Sequence, residues 1–161
     1  MKVDGALLRS TMTNWISGVA IVTTTLNDLK HGMTISSFLS VSLDPPVIAI
    51  SANCASQTCS SIQTAGCFAV NILAQGQEGL ARLFSDKKKQ DVRFADLRTE
   101  SAVTGAPLIG GCVANIDCSV TATHIVGDHI IFLAKPEAII TNSATPLAYA
   151  NHTFGEFRQR D

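Results

Sequence analysis

The sequence predicts a mainly β fold with peripheral helices, an antiparallel barrel formed as a single domain over residues 1–161. Three observations predict it. From Cys112 to Ala122 the even positions are Cys, Ala, Ile, Cys, Val and Ala, while the odd ones are Val113, Asn115, Asp117, Ser119 and Thr121; this period of two marks a strand with one buried face. Gly127-Asp128 then turns the chain into His129–Leu133 (HIIFL), which makes the two segments a long antiparallel hairpin. The other apolar runs are short and β-branched, and no G-x-G-x-x-G joins a strand to a helix, which argues against a doubly wound parallel sheet.

The elements follow in order. Asp4 is placed to cap a helix that reaches Ile16, with Leu8, Met12, Trp15 and Ile16 on one stripe and Gly18 as its stop. Val19–Thr25 (VAIVTTT) has strand composition, and Asn27-Asp28 turns it towards His31. Asp44-Pro45-Pro46 forces an extended entry into the strand Val47–Ser51. A short helix over Ser56–Thr64, ended by Gly66, separates it from a further strand, Cys67–Leu73. Gln77–Phe84 sets Leu80, Leu83 and Phe84 at helical spacing. The even register of the long strand turns Cys112 and Cys118 inward and extends to His124, near the rim. Pro136 lacks an amide hydrogen and limits how far the last strand can be central in a sheet.

Composition narrows the function. Hydrophobic residues make up 46% of 161 and charged residues 16%, enough to bury roughly two-thirds of the unfolded surface. Twelve Lys and Arg against thirteen Asp and Glu leave a net charge of -1, which gives no counterion-release drive for binding nucleic acid. No apolar run approaches the ~18 residues of a membrane span, and because the first residues lack a basic flank, an apolar core and a cleavage site, no secretory signal is expected. Five cysteines, Cys54, Cys59, Cys67, Cys112 and Cys118, are odd in number and form no C-x-x-C, so reduced thiols in a cytoplasmic protein are expected. None of the four histidines has metal-site spacing. No phosphate-binding G-x-x-x-x-G-K-[ST], G-x-S-x-G or H-E-x-x-H is present.

Three polar clusters remain as candidates. His31-Gly32-Met33-Thr34-Ile35-Ser36-Ser37-Phe38 sets a glycine beside several hydroxyls, which suits a planar polar heterocycle or a phosphate, or simply a loop satisfying its own backbone. Ser51, Ala52, Asn53, Ser56 and Thr58 follow a strand, and the helix start at Ser56 can attract an anion or serve only as a cap. Ser85-Asp86-Lys87-Lys88-Lys89, with Arg93 nearby, can guard a phosphate or form a solvated loop. His129 follows a tight turn beside Asp128 at a strand start, where an imidazole can bond a polar ligand or cap the turn.

Taken in order, Gly18-Val19-Ala20-Ile21-Val22-Thr23, the His31–Phe38 run, Ser40-Val41-Ser42-Leu43-Asp44-Pro45-Pro46, Phe68-Ala69-Val70-Asn71-Ile72-Leu73, Gly127-Asp128-His129 and Pro146-Leu147 resemble the flavin reductase family. These are short-chain NAD(P)H:flavin oxidoreductases that include the reductase components of two-component flavin monooxygenases. The resemblance covers about Leu8 to Phe157. It implies an FMN-binding split β-barrel, a homodimer, and FMN or FAD reduced by NADH or NADPH through hydride transfer from nicotinamide C4 to flavin N5. A flavin-dependent monooxygenase is the implied recipient. Two alternatives share the barrel: a non-catalytic flavin carrier, and a flavoprotein that keeps its flavin and reduces another acceptor.

By the same resemblance, Thr34, Ile35, Ser36 and Ser37 hold the flavin together with Ser51, Ala52, Asn53, Ser56 and Thr58. Phe84 and Ser85 lie towards its phosphate, and His129 is the catalytic-site residue on the nicotinamide side, which Tyr149, Asn151 and His152 also approach. Two stretches depart from the family pattern. Ala134-Lys135-Pro136-Glu137-Ala138 stands where G-E-V is common, and Ala148-Tyr149-Ala150-Asn151-His152 where an aromatic pair and Arg-Gly are common; the second leaves the choice between NADH and NADPH open. The implied chemistry needs no acid–base residue, because the cofactors perform the transfer and the protein aligns them.

Overall fold

The computed structural model describes residues 3–158. The chain runs α1 (Gly5–Met12), β1 (Ser17–Gly18), β2 (Ala20–Leu26), β3 (Leu29–Ile35), β4 (Phe38–Leu43), β5 (Pro46–Asn53), α2 (Gln57–Ala65), β6 (Cys67–Ile72) and α3 (Glu78–Ser85). A short 3-10 segment (Lys87–Val92) follows, then β7 (Thr99–Glu100), β8 (Leu108–Ile109), β9 (Ala114–Val126), β10 (His129–Thr141), β11 (Leu147–Ala150) and β12 (Thr153–Glu156).

Seven strands form an antiparallel sheet in the order β3-β2-β6-β9-β10-β5-β4. Its two end strands, β3 and β4, are consecutive in the chain and joined only by Ser36-Ser37. Ile35 at one end and Phe38 at the other pack on the same core as Ile50, Phe68, Val70, Cys118 and Phe132, so the sheet is curled into a barrel whose seam is that dipeptide. Helix α2 contributes Cys59 and Ile62, both fully buried, to this core. On the other side of β2, Val19 and Ile21 meet Leu73, Ala81 and Phe84 of α3, and Leu147 of β11. With both its faces covered, β2 is a nearly continuous apolar and threonine run rather than an alternating one.

Much of the local reading holds. Asp4 caps α1, its carboxylate accepting from Leu7 N at 2.8 Å. Ser56 caps α2, and Gly66 ends it at φ 69°, the left-handed conformation a C-terminal glycine supplies. Asn27 and Asp28, at φ 50° and 63°, close the β2–β3 hairpin. Pro136 sits where β10 pairs only with β9, its pairing with β5 having ended at Ala134, and beside a shift in register. Cys112 and Cys118 are fully buried, and burial pushes their thiols up to about 11 and about 12, so they pack as small apolar groups.

Three expectations are corrected. Helix α1 ends at Met12 rather than Ile16, because Thr13 Oγ1 bonds Ser10 O and Asn14 Nδ2 bonds Thr11 O, drawing the last carbonyls to side chains. Its apolar stripe is exposed, Trp15 and Ile16 each at 70%. The odd face of β9 is not uniformly solvated: Asn115 and Asp117 are 6% and 1% exposed, because β8 packs on the first, whose Nδ2 donates to Ile109 O, and the loop before β8 lies across the second. His124 lies on an exposed stretch of β9, beyond the buried part of its register.

Candidate active site around the barrel seam

Four adjoining hollows surround the Ser36-Ser37 seam. One of about 200 Å³ is lined by Val19, Thr34, Ile35, Ser36, Ala81, Ser85, Tyr149 and Phe154. It shares Thr34 and Ser85 with a second of about 220 Å³, bounded by Met33, Asn53, Ser56, Phe84, Lys87 and Arg93. Ser36 and Tyr149 continue it into the widest, about 500 Å³, against Arg9, Trp15, Ser37 and His152. Trp15, Ile35 and Ser36 border the fourth, about 200 Å³, with Phe38. Together they make a groove long enough for an extended ligand, aromatic at one end and basic at the other.

Most of the hydroxyls here are already committed. Thr34 Oγ1 donates to Ala81 O at 2.7 Å and ties β3 to α3. Ser37 Oγ donates to Ser51 O at 2.6 Å across the seam, and Ser85 Oγ donates to Arg82 O. Ser56 Oγ accepts from Cys59 N as a helix cap and contacts Met33 Sδ at 3.2 Å. Among the described residues Ser36 makes no side-chain hydrogen bond, although it lines three of the four hollows. Its hydroxyl is therefore free for a ligand, while its neighbours fix the walls.

The two hydroxyl-bearing segments converge, as the resemblance implies: Thr34, Asn53, Ser56, Phe84 and Ser85 share one hollow. Three expected residues of these segments line none of the four hollows. Ser51 instead accepts from Ser37 Oγ through its backbone carbonyl. Ala52 is 2% exposed and faces the barrel core, and Thr58 is buried at 3% within α2. Asn151, at φ 48°, forms the β11–β12 turn with His152, and its amide bonds Thr13 O at 2.7 Å; it braces α1 rather than lining the groove. His129 also lies outside the hollows, directly across the sheet from Asn53. Its Nδ1 is 2.8 Å from Asp128 Oδ1, and that hydrogen bond holds the Asp128 carboxyl below its usual range.

Sequence reasoning named Tyr149 but missed the other rings of the aromatic end, Trp15 and Phe154, which border the groove. Tyr149 packs on Phe154 with ring centres 5.2 Å apart, and the Arg82 guanidinium sits 4.9 Å over Phe154. No period links Trp15 to a strand pair more than a hundred residues later, so only the fold brings them together. Of the lysine run, Lys87 alone lines a hollow.

A family model described as a flavin reductase like domain matches residues 12–158. The chain belongs to the flavin reductase-like family. It is 33% identical over 152 residues to an NADH-dependent flavin reductase of a Rhodococcus species, covering 91% of this chain and 83% of the relative. It is 29% identical over 138 residues to the reductase subunit HsaB of a flavin-dependent monooxygenase from Mycobacterium tuberculosis, covering 86% and 73%. Among solved structures it matches the NADH:FAD oxidoreductase SgcE6 of Streptomyces globisporus, in complex with NAD and FAD fragments, at a TM-score of 0.89 and 30% identity, covering 98% and 97%. The barrel of this chain is thus shared with solved flavin reductases. Aromatic walls and the free Ser36 hydroxyl suit a planar ring, and a buried arginine at the far end suits an anion.

Proposed function

We propose that this chain is an NAD(P)H:flavin oxidoreductase that reduces FMN or FAD in the seam groove and releases reduced flavin to a flavin-dependent monooxygenase. One observation carries the reading: in a member of this family, Ser36, whose side chain makes no hydrogen bond among the described residues, lines three adjoining hollows, and the one it shares with Tyr149 and Phe154 opens through Thr34 and Ser85 into the basic hollow. Bound flavin supplies the ring that accepts hydride from the reduced nicotinamide. The protein's part is placement. Ser36 and the backbone around it orient the ring, Asn53, Ser56 and Ser85 line the path of the ribityl chain, and Tyr149 with His152 flanks the open side. His129, steadied by Asp128, positions the nicotinamide and transfers no proton.

A homodimer is part of this reading. Leu39, Ala49, Leu133 and Ala122 are directly paired across β4, β5, β10 and β9, on the face opposite the core residues Ile50 and Phe132. This apolar row ends in Leu39 at 61% exposure and fits a second copy of itself; sedimentation at micromolar concentration reads the oligomeric state. A cytoplasmic location accords with five free thiols, and no described helix is long and apolar enough to cross a membrane.

The test is oxidation of NADH or NADPH by the purified protein with and without added FMN or FAD. Turnover that depends on added flavin supports the reading. Flavin binding without turnover indicates a carrier, and turnover with retained flavin indicates a flavoprotein acting on another acceptor. Replacing His129 by Ala is expected to raise the nicotinamide KM by about tenfold, the worth of one charge-assisted hydrogen bond, with the flavin Kd changed less than about twofold. The opposite pattern would remove His129 from the nicotinamide side.

A further inference from the structure

Asn53 ends β5 between the two sides of the proposed site. It borders the basic hollow with Ser56 and Ser85, and its register partner across the sheet is His129, the first residue of β10. Its side chain is already engaged within the chain. Oδ1 accepts from Ala55 N at 2.9 Å and closes a local turn, while Nδ2 donates to Asp128 Oδ2 at 3.4 Å. The other oxygen of Asp128, Oδ1, lies 2.8 Å from His129 Nδ1. One carboxylate oxygen is thus taken by the amide and the other by the imidazole.

The backbone follows the same course. Cys54 N donates to Asp128 O at 2.9 Å and Ser56 N to Asn53 O at 3.0 Å, so the segment leading into α2 is bolted to the β9–β10 turn. A carboxylate only accepts, which makes His129 Nδ1 the donor in its pair. The neutral ring then keeps a lone pair on Nε2 and presents an acceptor, the partner that an incoming amide N–H requires. The Asp128 carboxyl is held low mainly by His129 and in small part by Arg9 of α1. Arg9 also lines the widest hollow, so the turn lies towards the open side of the groove.

We infer that Asn53 is a positioning residue: it holds Asp128, Asp128 fixes the orientation and the protonated nitrogen of His129, and the nicotinamide side is thereby tied to the wall of the flavin hollow. This rests on the flavin reductase reading and deepens it at His129. Asn53 acts through another residue and is not itself a flavin ligand. Its bond to Asp128 is long and exposed, so the effect is modest. What identifies it is where the effect falls: a flavin ligand at this position alters flavin affinity, whereas a positioning residue alters the response to nicotinamide.

The experiment compares Asn53→Ser, Asp128→Ala and the double variant, with nicotinamide KM measured at saturating flavin and flavin Kd measured by fluorescence quenching. Serine keeps an oxygen for the local turn and is too short to reach Asp128. Asn53→Ser is expected to raise the nicotinamide KM about threefold with flavin Kd changed less than about twofold. It is expected to have no further effect in the Asp128→Ala background, because members of one chain of bonds are not additive. An equal rise in both backgrounds, a flavin Kd that moves as much as the nicotinamide KM, or no change in either overturns the proposal. Long-range nitrogen–proton NMR of histidine-labelled protein reads the ring without turnover, with His129→Ala supplying the assignment. The neutral His129 ring is expected in its Nδ1–H form in the wild type, shifting towards the Nε2–H form in Asp128→Ala and partly so in Asn53→Ser. A wild-type ring protonated on Nε2 overturns the proposal without any variant, and so does a ring that Asn53→Ser leaves unchanged. Absence of turnover with either flavin overturns the flavin reductase reading itself, and the NMR spectra then still decide what Asn53 does to His129.

Discussion

Replacing Asn71 by Ala is expected to destabilise the protein by about 4 kcal/mol, since several buried polar groups lose partners at about 1–3 kcal/mol each. Asn71 is fully buried on β6. Its Nδ2 donates to Ile21 O and Thr23 Oγ1, each at 3.0 Å, and its Oδ1 accepts from Ile109 N at 2.8 Å and Asn115 Nδ2 at 2.7 Å. One amide thus joins β2, β6, β8 and β9. Against a typical total of about 5–15 kcal/mol, that loss is a large share of the stability. Urea unfolding should show a lower midpoint with an unchanged slope. A midpoint within experimental error of the wild type would mean that water replaces the amide and that the network is not a structural hub.

Asn71 also shows where the sequence stops being legible. The alternation from Cys112 to Ala122 revealed the strand and its inward cysteines because apolar side chains declare a buried face. Asn115 and Asp117 lie on the other face and were read as solvated, since a polar residue at a period-two position looks alike whether water or a buried partner satisfies it. The Asp117 carboxylate accepts from Val103 N, Thr104 N and Thr104 Oγ1, donors on a loop that no periodicity connects to β9. The candidate site divides in the same way. Convergence of the His31–Phe38 run with Asn53 and Ser56 was expected from the family resemblance alone, since nothing in the spacing of the two segments brings them together. Which hydroxyl remains free was not legible, because it depends on Ala81 and Ser51 carbonyls arriving from elsewhere in the fold. Helix α1 failed for a local reason: its apolar spacing continued past the threonines and asparagine whose side chains end it.

A methyl group added at Gly32 is expected to damage fold and site together. A Cβ there would lie 2.8 Å from Phe84 Cε1, 3.1 Å from Thr23 Cγ2 and 3.1 Å from Val22 O. None of these neighbours can yield easily. Val22 O is backbone in the barrel wall, Thr23 is fully buried, and Phe84 is fully buried and held edge-on against Phe94 at 5.1 Å. The strain must then be relieved by α3 riding away from β3, at a cost of about 1–3 kcal/mol typical of overpacking. That motion carries Ser85 outward and stretches the hydrogen bond from Arg93 Nη1 to Gly32 O, so flavin affinity should fall by about tenfold as the stability drops. Gly79→Ala is the matched control: Gly79 is exposed within the same helix, with open space around its Cα, and the exchange should raise stability by up to about 1 kcal/mol. Thermal melts of the two variants, with flavin Kd measured in parallel, test the coupling. A Gly32→Ala protein that melts and binds as the wild type does would show that α3 and β3 can separate without disturbing the groove, and that the close packing of Phe84 on Gly32 does not set the geometry of the seam.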